Sequence, residues 1–216
     1  MVERITEEPL EAKSHQQRKS DRMRREIVLA AISCLHKNGY HRASIKKIAL
    51  ESSFSQGALQ HHFPTKEDLM VFVMDKILTK SLNLTLEWAE EIGRENIRIS
   101  DMTKVWWSNQ MRSPEFLAML EIMVGARTDD SLRNRLKPVV EDYGRKADER
   151  VIALFPESVY GPAVTRVLIT ASRSMLCGFV TYDAMFRDAQ EMDRLVEEWA
   201  EILDLLLAPK FSKSPN

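Results

Sequence analysis

The chain has 216 residues, and its 44% hydrophobic content is ample for a packed core in one large or two small domains. Only seven glycines and eight prolines argue against a sheet-rich or loop-rich protein, whereas frequent Leu, Met, Glu, Lys, Arg and Ala favour helix throughout. No signal peptide opens the chain, and no apolar run approaches the roughly 20 residues needed to span a bilayer. We therefore expect an all-α protein in the cytoplasm, without a membrane partner.

The net charge of −1 conceals an uneven distribution. Residues 13–66 carry eleven Lys or Arg and three acidic residues, whereas the chain from residue 67 onward is net acidic. All five histidines also lie between positions 15 and 62. A basic module joined to an acidic body is typical of a protein whose one end faces a polyanion.

The two cysteines, Cys34 and Cys177, lie far apart within apolar helical patterns. This pattern predicts buried thiols in a reducing compartment, not a disulfide framework or a metal site.

The first 19 residues include Pro9 and show no periodicity, which predicts a flexible tail with a basic end. A helix should follow from about Asp21 to Asn38, because apolar residues recur at helical spacing and Gly39 can stop it. Tyr40 should fold back onto the core. Exposed arginines near the start of this helix face either phosphate or water, and we favour a phosphate contact for at least one.

Two short capped helices come next. Ser44 can cap a first helix, and Ser55 a second one from about Gln56 to His62. Pro64 ends the second helix, and Thr65 with Asp68 resembles a capping box that starts a longer one. Helix, turn and short helix is the plan of a helix-turn-helix, whose second helix enters the major groove. A solvated helical hairpin is the alternative.

The same stretch resembles the DNA-binding signature of the tetracycline-repressor (TetR) family of transcription regulators over roughly residues 20 to 75. The resemblance is carried by Gly39-Tyr40, Ala43-Ser44-Ile45, Ile48-Ala49, Phe54-Ser55-Gln56-Gly57-Ala58-Leu59, His62-Phe63-Pro64-Thr65-Lys66 and Leu69. Two positions depart from the family pattern: Ser53 replaces the usual glycine, and Gln60 replaces the usual aromatic residue that packs on the DNA backbone.

The resemblance implies a domain order. A flexible tail (1–19) precedes a three-helix helix-turn-helix DNA-binding domain (20–66). A long helix from Thr65 to Ser81 or beyond then joins it to a helical regulatory and dimerisation domain (67–208), and a short tail (209–216) follows. No cofactor is implied.

The short second helix supplies the candidate DNA contacts. Gln56, Gln60 and His61 are the predicted readers of base edges, because glutamine can pair with adenine through two hydrogen bonds. Hydroxyls and amides at helix N-termini, together with one cation, suit phosphate. The full predicted set is Ser44, Ser55, Gln56, Gly57, Ala58, Gln60, His61, His62 and Lys66. Adjacent helical positions point in different directions, so His61 and His62 do not indicate a metal site.

The body should be helical throughout, with a helix start at Ser113-Pro114-Glu115 and breaks at Gly125, Gly144 and Gly161-Pro162. Two long helices are predicted at about 162–186 and 192–207. By resemblance, they pair with their symmetry mates as a four-helix bundle in a homodimer. An ordinary monomeric core is the alternative for the last helix.

A set of Met and aromatic side chains in the body is a candidate ligand pocket, since such residues line adaptable apolar sites. They also fill ordinary cores, which is the alternative. The candidates are Met102, Trp106, Trp107, Met111, Met119, Met123, Met175 and Phe179.

Together these features predict a ligand-responsive transcriptional regulator. It would be a repressor that binds an inverted-repeat operator as a homodimer and is released by a small apolar effector. A helical protein-binding adaptor and an activator are the alternatives. An enzyme is disfavoured, because the acidic body contains no histidine and its cysteine lies among apolar residues, and neither a phosphate loop nor a His/Glu metal spacing occurs.

Overall fold

Helices dominate the residues that the computed structural model describes, which are 15–95, 98–153, 161–181, 185 and 188–207. No strand occurs in these ranges, so the predicted all-α fold class is confirmed. The elements are α1 (His15–Arg42), α2 (Ile45–Leu50), α3 (Gln56–His62), α4 (Lys66–Glu95), α5 (Ile99–Trp106), a π-helical segment (Trp107–Met111), α6 (Pro114–Ala126), α7 (Asp130–Ala153), α8 (Gly161–Thr181) and α9 (Ala189–Leu207).

The predicted caps of the N-terminal helices are confirmed. The hydroxyl oxygens of Ser44 and Ser55 each accept a hydrogen bond of 3.2 Å from the third amide of their helices. At the start of α4, the Thr65 amide donates to the Asp68 carboxylate (3.0 Å) and the Asp68 amide donates to the Thr65 hydroxyl (3.1 Å). Each such cap is worth about 1 kcal/mol, which is why helices as short as α2 and α3 form at these positions.

The first helix begins earlier than the sequence indicates. Helix α1 already includes residue 15, whereas the prediction placed a flexible tail through residue 19 and a helix start at Asp21. Residues 1–14 and 208–216, to which the remaining tail predictions refer, lie outside the described residues. At Gly39 the backbone has φ 72° and ψ 167°, a conformation available to glycine almost alone, and the helical path is interrupted there.

One continuous apolar core joins the N-terminal helices to part of the body. It includes Ile27, Leu35, Ile48, Leu59 and Leu69 from α1 to α4, and it continues into α6 and α7. Helix α1 packs most extensively against α6, and α4 packs most extensively against α7. The three N-terminal helices are therefore seated on the body through shared packing rather than through a linker.

The body differs from the prediction at Gly144. Gly144 and Pro138 lie inside the continuous helix α7, so the predicted break at Gly144 is wrong. The predicted break at Gly125 falls in the last turn of α6, which ends at Ala126, and the predicted start of α6 at Ser113-Pro114 is confirmed. Helix α8 is described over Gly161–Thr181, and Tyr182 and Phe186 of the predicted helix lie outside the described residues.

Helix α8 also changes the expectation that no segment is apolar enough to span a bilayer. It has 21 residues and passes that test on length and composition alone. Two arginines, Arg166 and Arg173, interrupt its sequence. Only a small share of its apolar window is buried within the single chain, so most of this helix is left available for another surface.

Candidate nucleic-acid interface and ligand cavity

Helix α3 has a small inward side and a large exposed one. Leu59 is fully buried, and Phe63 directly after the helix is nearly so. Ala58 is half-buried, and the exposed positions are Gln56, Gly57, Gln60, His61 and His62. The structure therefore places the three predicted base-edge readers, Gln56, Gln60 and His61, on the solvent side of a helix that needs only two apolar anchors.

Gly57 is open on its outer side. A Cβ atom built there meets no heavy atom within 4 Å, so packing against the described residues does not require glycine at this position. A helical glycine costs roughly 1 kcal/mol relative to alanine. Its presence on the exposed face of α3 is consistent with close approach of a partner to the backbone.

The turn between α2 and α3 is tied to α1 by an interaction that the sequence pattern did not predict. The Ser53 amide donates a 2.8 Å hydrogen bond to the Glu26 carboxylate. Hydrogen bonding from Ser53 holds the pKa of Glu26 below its ordinary value. Within the same turn, the Ser52 hydroxyl accepts from the Phe54 amide at 3.2 Å. Ser53, which departs from the family pattern, thus contributes to the tie with Glu26.

Exposed cations lie on the helices beside α3. They are Arg22, Arg24 and Arg25 on α1 and Lys46 and Lys47 on α2. One neighbouring cation, Lys37, is engaged with Glu51 at 3.3 Å. The basic charge counted in the sequence is therefore presented at the surface of the same unit that carries α3, as contact with phosphate requires.

Lys66 has a different environment from the one predicted for a phosphate contact. Its ammonium group is half-buried, lies 3.7 Å from the ring centroid of Tyr40 and donates to the Tyr40 carbonyl at 2.6 Å. Burial lowers the pKa of Lys66 below its ordinary value. The structure thus engages Lys66 at the junction between α1 and α4, and its contact with phosphate stays a prediction.

Tyr40 forms the centre of that junction, which we call the Tyr40 joint (Tyr40, Lys66, Glu121, Gly125 and Asp129). The Tyr40 amide donates to Glu121 of α6 at 2.9 Å, and its hydroxyl lies 3.5 Å from the Asp129 carboxylate. Burial, together with the negative charge of Asp129, raises the pKa of Tyr40 to about 12. The predicted return of Tyr40 onto the core is confirmed, but its partners on α6 were not foreseen.

A second tie links α4 to α7. The Asp68 carboxylate forms an ion pair with Arg135, whose guanidinium also reaches the Thr65 hydroxyl. The Thr65 hydroxyl and then the Arg135 guanidinium hold the pKa of Asp68 below its ordinary value. Asp68 therefore serves both as the capping residue of α4 and as its anchor to the body.

Two adjoining cavities lie in the body. The larger, of about 610 Å³, is enclosed by α4, α5, the π-helical segment, α6, α7 and α8. The smaller, of about 100 Å³, lies toward α9. Trp106, Tyr143 and Arg173 line both, so these three side chains form the wall between them. A volume of several hundred Å³ with mainly apolar walls is typical of a small-molecule site.

The structure brings only part of the predicted pocket set to these cavities. Trp106 lines both, Met119 and Met123 line the larger, and Met102 lines the smaller.

The other four candidates pack in a neighbouring cluster with Leu176, Met192 and Val196. These four are Trp107, Met111, Met175 and Phe179. The Trp107 indole N–H donates to Asp193 at 2.8 Å, and its ring meets Phe179 edge to face. Trp107 and Met111 each follow a cavity-lining residue, Trp106 and Gln110, by one position. They therefore lie on a different side of this segment, where they pack in the neighbouring cluster.

The polar groups of the larger cavity were missed by the sequence analysis. The Gln110 side-chain oxygen accepts hydrogen bonds from the Trp106 indole N–H (3.0 Å) and the Ser81 hydroxyl (3.3 Å). Ser81 and Tyr143 are joined by a 3.0 Å hydrogen bond. The Gln110 side-chain nitrogen is buried and has no hydrogen-bond partner. No periodicity marks these residues, because they meet only when α4, the π-helical segment and α7 are packed.

Metal ligation has no structural support in the part of the chain that the structure describes. No group of three or more His, Cys, Asp or Glu side chains there is placed to hold an ion. The rings of His61 and His62 contact each other edge to face at 5.4 Å between centroids.

Comparison with known proteins gives consistent results. The family described as "Bacterial regulatory proteins, tetR family" matches residues 27–71. An uncharacterized HTH-type transcriptional regulator of Mycobacterium tuberculosis is 29% identical over 154 residues, covering 69% of this chain and 78% of that protein. The HTH-type nicotine-responsive transcriptional repressor HdnoR of Paenarthrobacter nicotinovorans is 26% identical over 135 residues, covering 60% of this chain and 68% of that protein. The solved structure of the fatty acid degradation regulator FadR from Bacillus halodurans superposes with a TM-score of 0.62 at 17% identity, covering 85% of this chain and 97% of that one.

Proposed function

The chain belongs to the TetR family of bacterial regulatory proteins, and from this premise we propose that it is a cytoplasmic, homodimeric repressor that a small apolar effector releases from DNA. The exposed face of α3 carries this proposal: a short, capped helix whose outward side chains are amides and imidazoles able to read base edges. The relative HdnoR, named as a nicotine-responsive repressor, supports the same logic of repression and release.

In the proposed complex, α3 enters the major groove with Gln56, Gln60 and His61 toward the bases. The Ser44 and Ser55 caps and the exposed cations of α1 and α2 contact the flanking phosphates. Two copies related by a two-fold axis would place their α3 helices roughly 34–36 Å apart, which requires an inverted-repeat operator with matching half-site spacing. Because several phosphates would be neutralised, affinity should fall steeply with salt.

The proposed dimer uses the outer faces of α8 and α9. Val164 and Val167 of α8 and Ile202 and Leu205 of α9 are exposed in the single chain, Leu205 with 79% of its surface accessible. Large apolar side chains grouped on two neighbouring helices are typical of a covered interface. A second copy of the chain would bury them in an isologous contact and would also cover the apolar surface of α8.

The proposed effector site is the larger cavity, and α4 would transmit its occupancy. Helix α4 contributes Ser81 and Leu84 to the cavity wall and begins at Lys66, at the Tyr40 joint. The shared core between α1, α4, α6 and α7 favours movement of whole helices over local bending. An effector that binds the DNA-incompetent state more tightly would lower operator affinity by its difference in affinity between the two states.

The DNA half of the proposal can be tested by selecting bound fragments from genomic DNA and measuring affinity for the best fragment by mobility shift. We expect a Gln60→Ala, His61→Ala double variant to lose at least tenfold in affinity and most of its selectivity, since each good base contact is worth about 1–3 kcal/mol. Asn134→Ala with Gln190→Ala, two exposed amides on α7 and α9, is the matched control. Equal binding by the parent and the Gln60/His61 variant, both folded, would refute α3 as the reader.

A further inference from the structure

The larger cavity contains one buried polar group that its surroundings leave without a partner, the side-chain nitrogen of Gln110. Gln110 lies in the π-helical segment between α5 and α6, where the extra residue per turn displaces side chains from the faces they would occupy in an α-helix. Such segments occur frequently at functional sites. Gln110 therefore combines a buried donor that lacks a hydrogen-bond partner with a place in a π-helical segment.

The orientation of the Gln110 amide follows from its partners. The Trp106 indole N–H can only donate, so the Gln110 atom 3.0 Å from it must be the acceptor oxygen. The Ser81 hydroxyl donates to the same oxygen at 3.3 Å. Turning the amide over would place two donors against each other. The nitrogen with its two hydrogens is therefore directed away from Trp106 and Ser81, on a residue that lines the cavity.

The charged side chains of this cavity are already engaged with other protein groups. Lys80 pairs with Glu115 at 3.0 Å, and Arg173 pairs with Asp148 at 2.8 Å. Burial raises the pKa of the Cys177 thiol, which keeps it uncharged at neutral pH. Among the described lining residues, each charged side chain thus has an oppositely charged partner, and the Gln110 side-chain nitrogen is a buried donor without a hydrogen-bond partner.

We propose that the effector is an uncharged, mainly apolar molecule carrying a carbonyl or ether oxygen, and that Gln110 recognises it by donating a hydrogen bond from Nε2 to this oxygen. The inference rests on the proposed function of the larger cavity as the effector site, and it specifies the ligand class. A buried donor without a partner is unfavourable, so a ligand that supplies an acceptor is preferred over an equally shaped hydrocarbon.

The same hydrogen bond would reach the rest of the molecule. Gln110 is linked through Ser81 to α4 and through Tyr143 to α7, the two helices that the Asp68–Arg135 pair joins nearer to the DNA reader. An acceptor on Gln110 polarises this chain of hydrogen bonds and strengthens it. Ligand recognition and the position of α4 are therefore connected through named polar contacts in addition to apolar packing.

The test uses two compounds of nearly the same size and shape, benzophenone and diphenylmethane, which differ in the carbonyl oxygen. Titration calorimetry on the full chain should give at least about fivefold tighter binding of benzophenone, as one net hydrogen bond would produce. The comparison is stringent, because apolar burial alone favours the more hydrophobic diphenylmethane. The ratio of the two dissociation constants, diphenylmethane over benzophenone, is measured on the unmodified protein. A folding defect in a variant therefore cannot affect it.

Variants then assign the preference to Gln110. Gln110→Met keeps the length of the side chain but removes the donor, and it should reduce the ratio to one or below. Asn134→Leu, which removes an exposed amide of α7 that lines neither cavity, is the matched control and should leave the ratio unchanged. Equal or tighter binding of diphenylmethane to the unmodified protein overturns the inference, as does a ratio unaffected by Gln110→Met or a failure of both compounds to bind.

Mobility shifts with the same preparations separate this outcome from the proposed function. If the unmodified protein binds its operator but does not prefer benzophenone over diphenylmethane, only the role of Gln110 is rejected. Loss of specific DNA binding in the unmodified protein rejects the regulator itself, whatever the ratio.

Discussion

The substitution Gly125→Ala tests whether the Tyr40 joint is as tightly packed as the structure indicates. A methyl group at position 125 would lie 2.3 Å from Tyr40 Cδ1 and 2.4 Å from Tyr40 Cγ, far inside van der Waals contact. The ring cannot easily move aside, because the Tyr40 amide is bonded to Glu121 and Lys66 covers the ring face. Overpacking of this kind costs about 1–3 kcal/mol.

Helix propensity acts in the opposite direction and supplies the control. Alanine is favoured over glycine by about 1 kcal/mol in a helix interior. Gly144 lies within α7 and has no heavy atom within 4 Å of a built Cβ, so Gly144→Ala should stabilise the protein by up to about 1 kcal/mol. We expect Gly125→Ala to destabilise it by about 1–2 kcal/mol, the clash less the gain in propensity.

Urea unfolding at one fixed protein concentration measures both changes, the fixed concentration being needed because association would shift apparent stability. A double-mutant cycle with Tyr40→Ala then isolates the contact. In the Tyr40→Ala background the clash is absent, so Gly125→Ala should become neutral or stabilising. If Gly125→Ala stabilised the parent as much as Gly144→Ala does, the packing of Tyr40 against α6 would be wrong.

Three further predictions concern separate parts of the molecule. Asp68→Asn should reduce the free energy of unfolding at pH 7. Because the pKa of folded Asp68 lies below its ordinary value, the benefit is present above about pH 4 and lost as pH falls through the folded pKa. Urea titrations of parent and variant should therefore converge as the pH falls below about 4 and through the folded pKa, and a constant difference would contradict the assigned ion pair. Val167→Glu should convert the proposed dimer to monomer in sedimentation at micromolar concentration. Val124→Glu on α6, which is 55% exposed compared with 65% for Val167, should not do so. Ser55→Ala should cost about 1 kcal/mol in urea unfolding through loss of the α3 cap, and an unchanged midpoint would show that the cap contributes nothing.

Helices α2 and α3 and the start of α4 could be predicted nearly to the residue because their determinants are local. Ser44, Ser55 and the Thr65–Asp68 pair each act within three residues of their own position. Caps, a proline and a few apolar anchors therefore specify both the boundaries of α3 and its exposed face. The candidate DNA contacts on α3 follow directly from that local pattern.

The body could be predicted only in outline, because its details depend on contacts between distant residues. Tyr40 and Glu121 are 81 positions apart, and no periodicity relates them. The interruptions expected at Gly144 did not occur, since packing of α7 against α4 outweighs the low helix propensity of glycine and proline. Trp107 and Met111 pack in the cluster with α8 and α9 instead of the predicted pocket, and which side of their segment faces the cavity depends on these distant helices.

Helix α6 would connect the proposed effector cavity to the proposed DNA-reading helix α3 with a modest coupling energy. Its Met119 and Met123 line the larger cavity, while Glu121 and Gly125 on another side of the same helix hold Tyr40. A coupling of about 1–3 kcal/mol is typical of allosteric proteins, and the net value of one hydrogen bond is about 1 kcal/mol. Loosening the Tyr40–Glu121 contact together with one neighbour would therefore suffice. The close fit of Tyr40 against Gly125 means that even a small rotation of α6 must displace the end of α1, so no large rearrangement of the body is required.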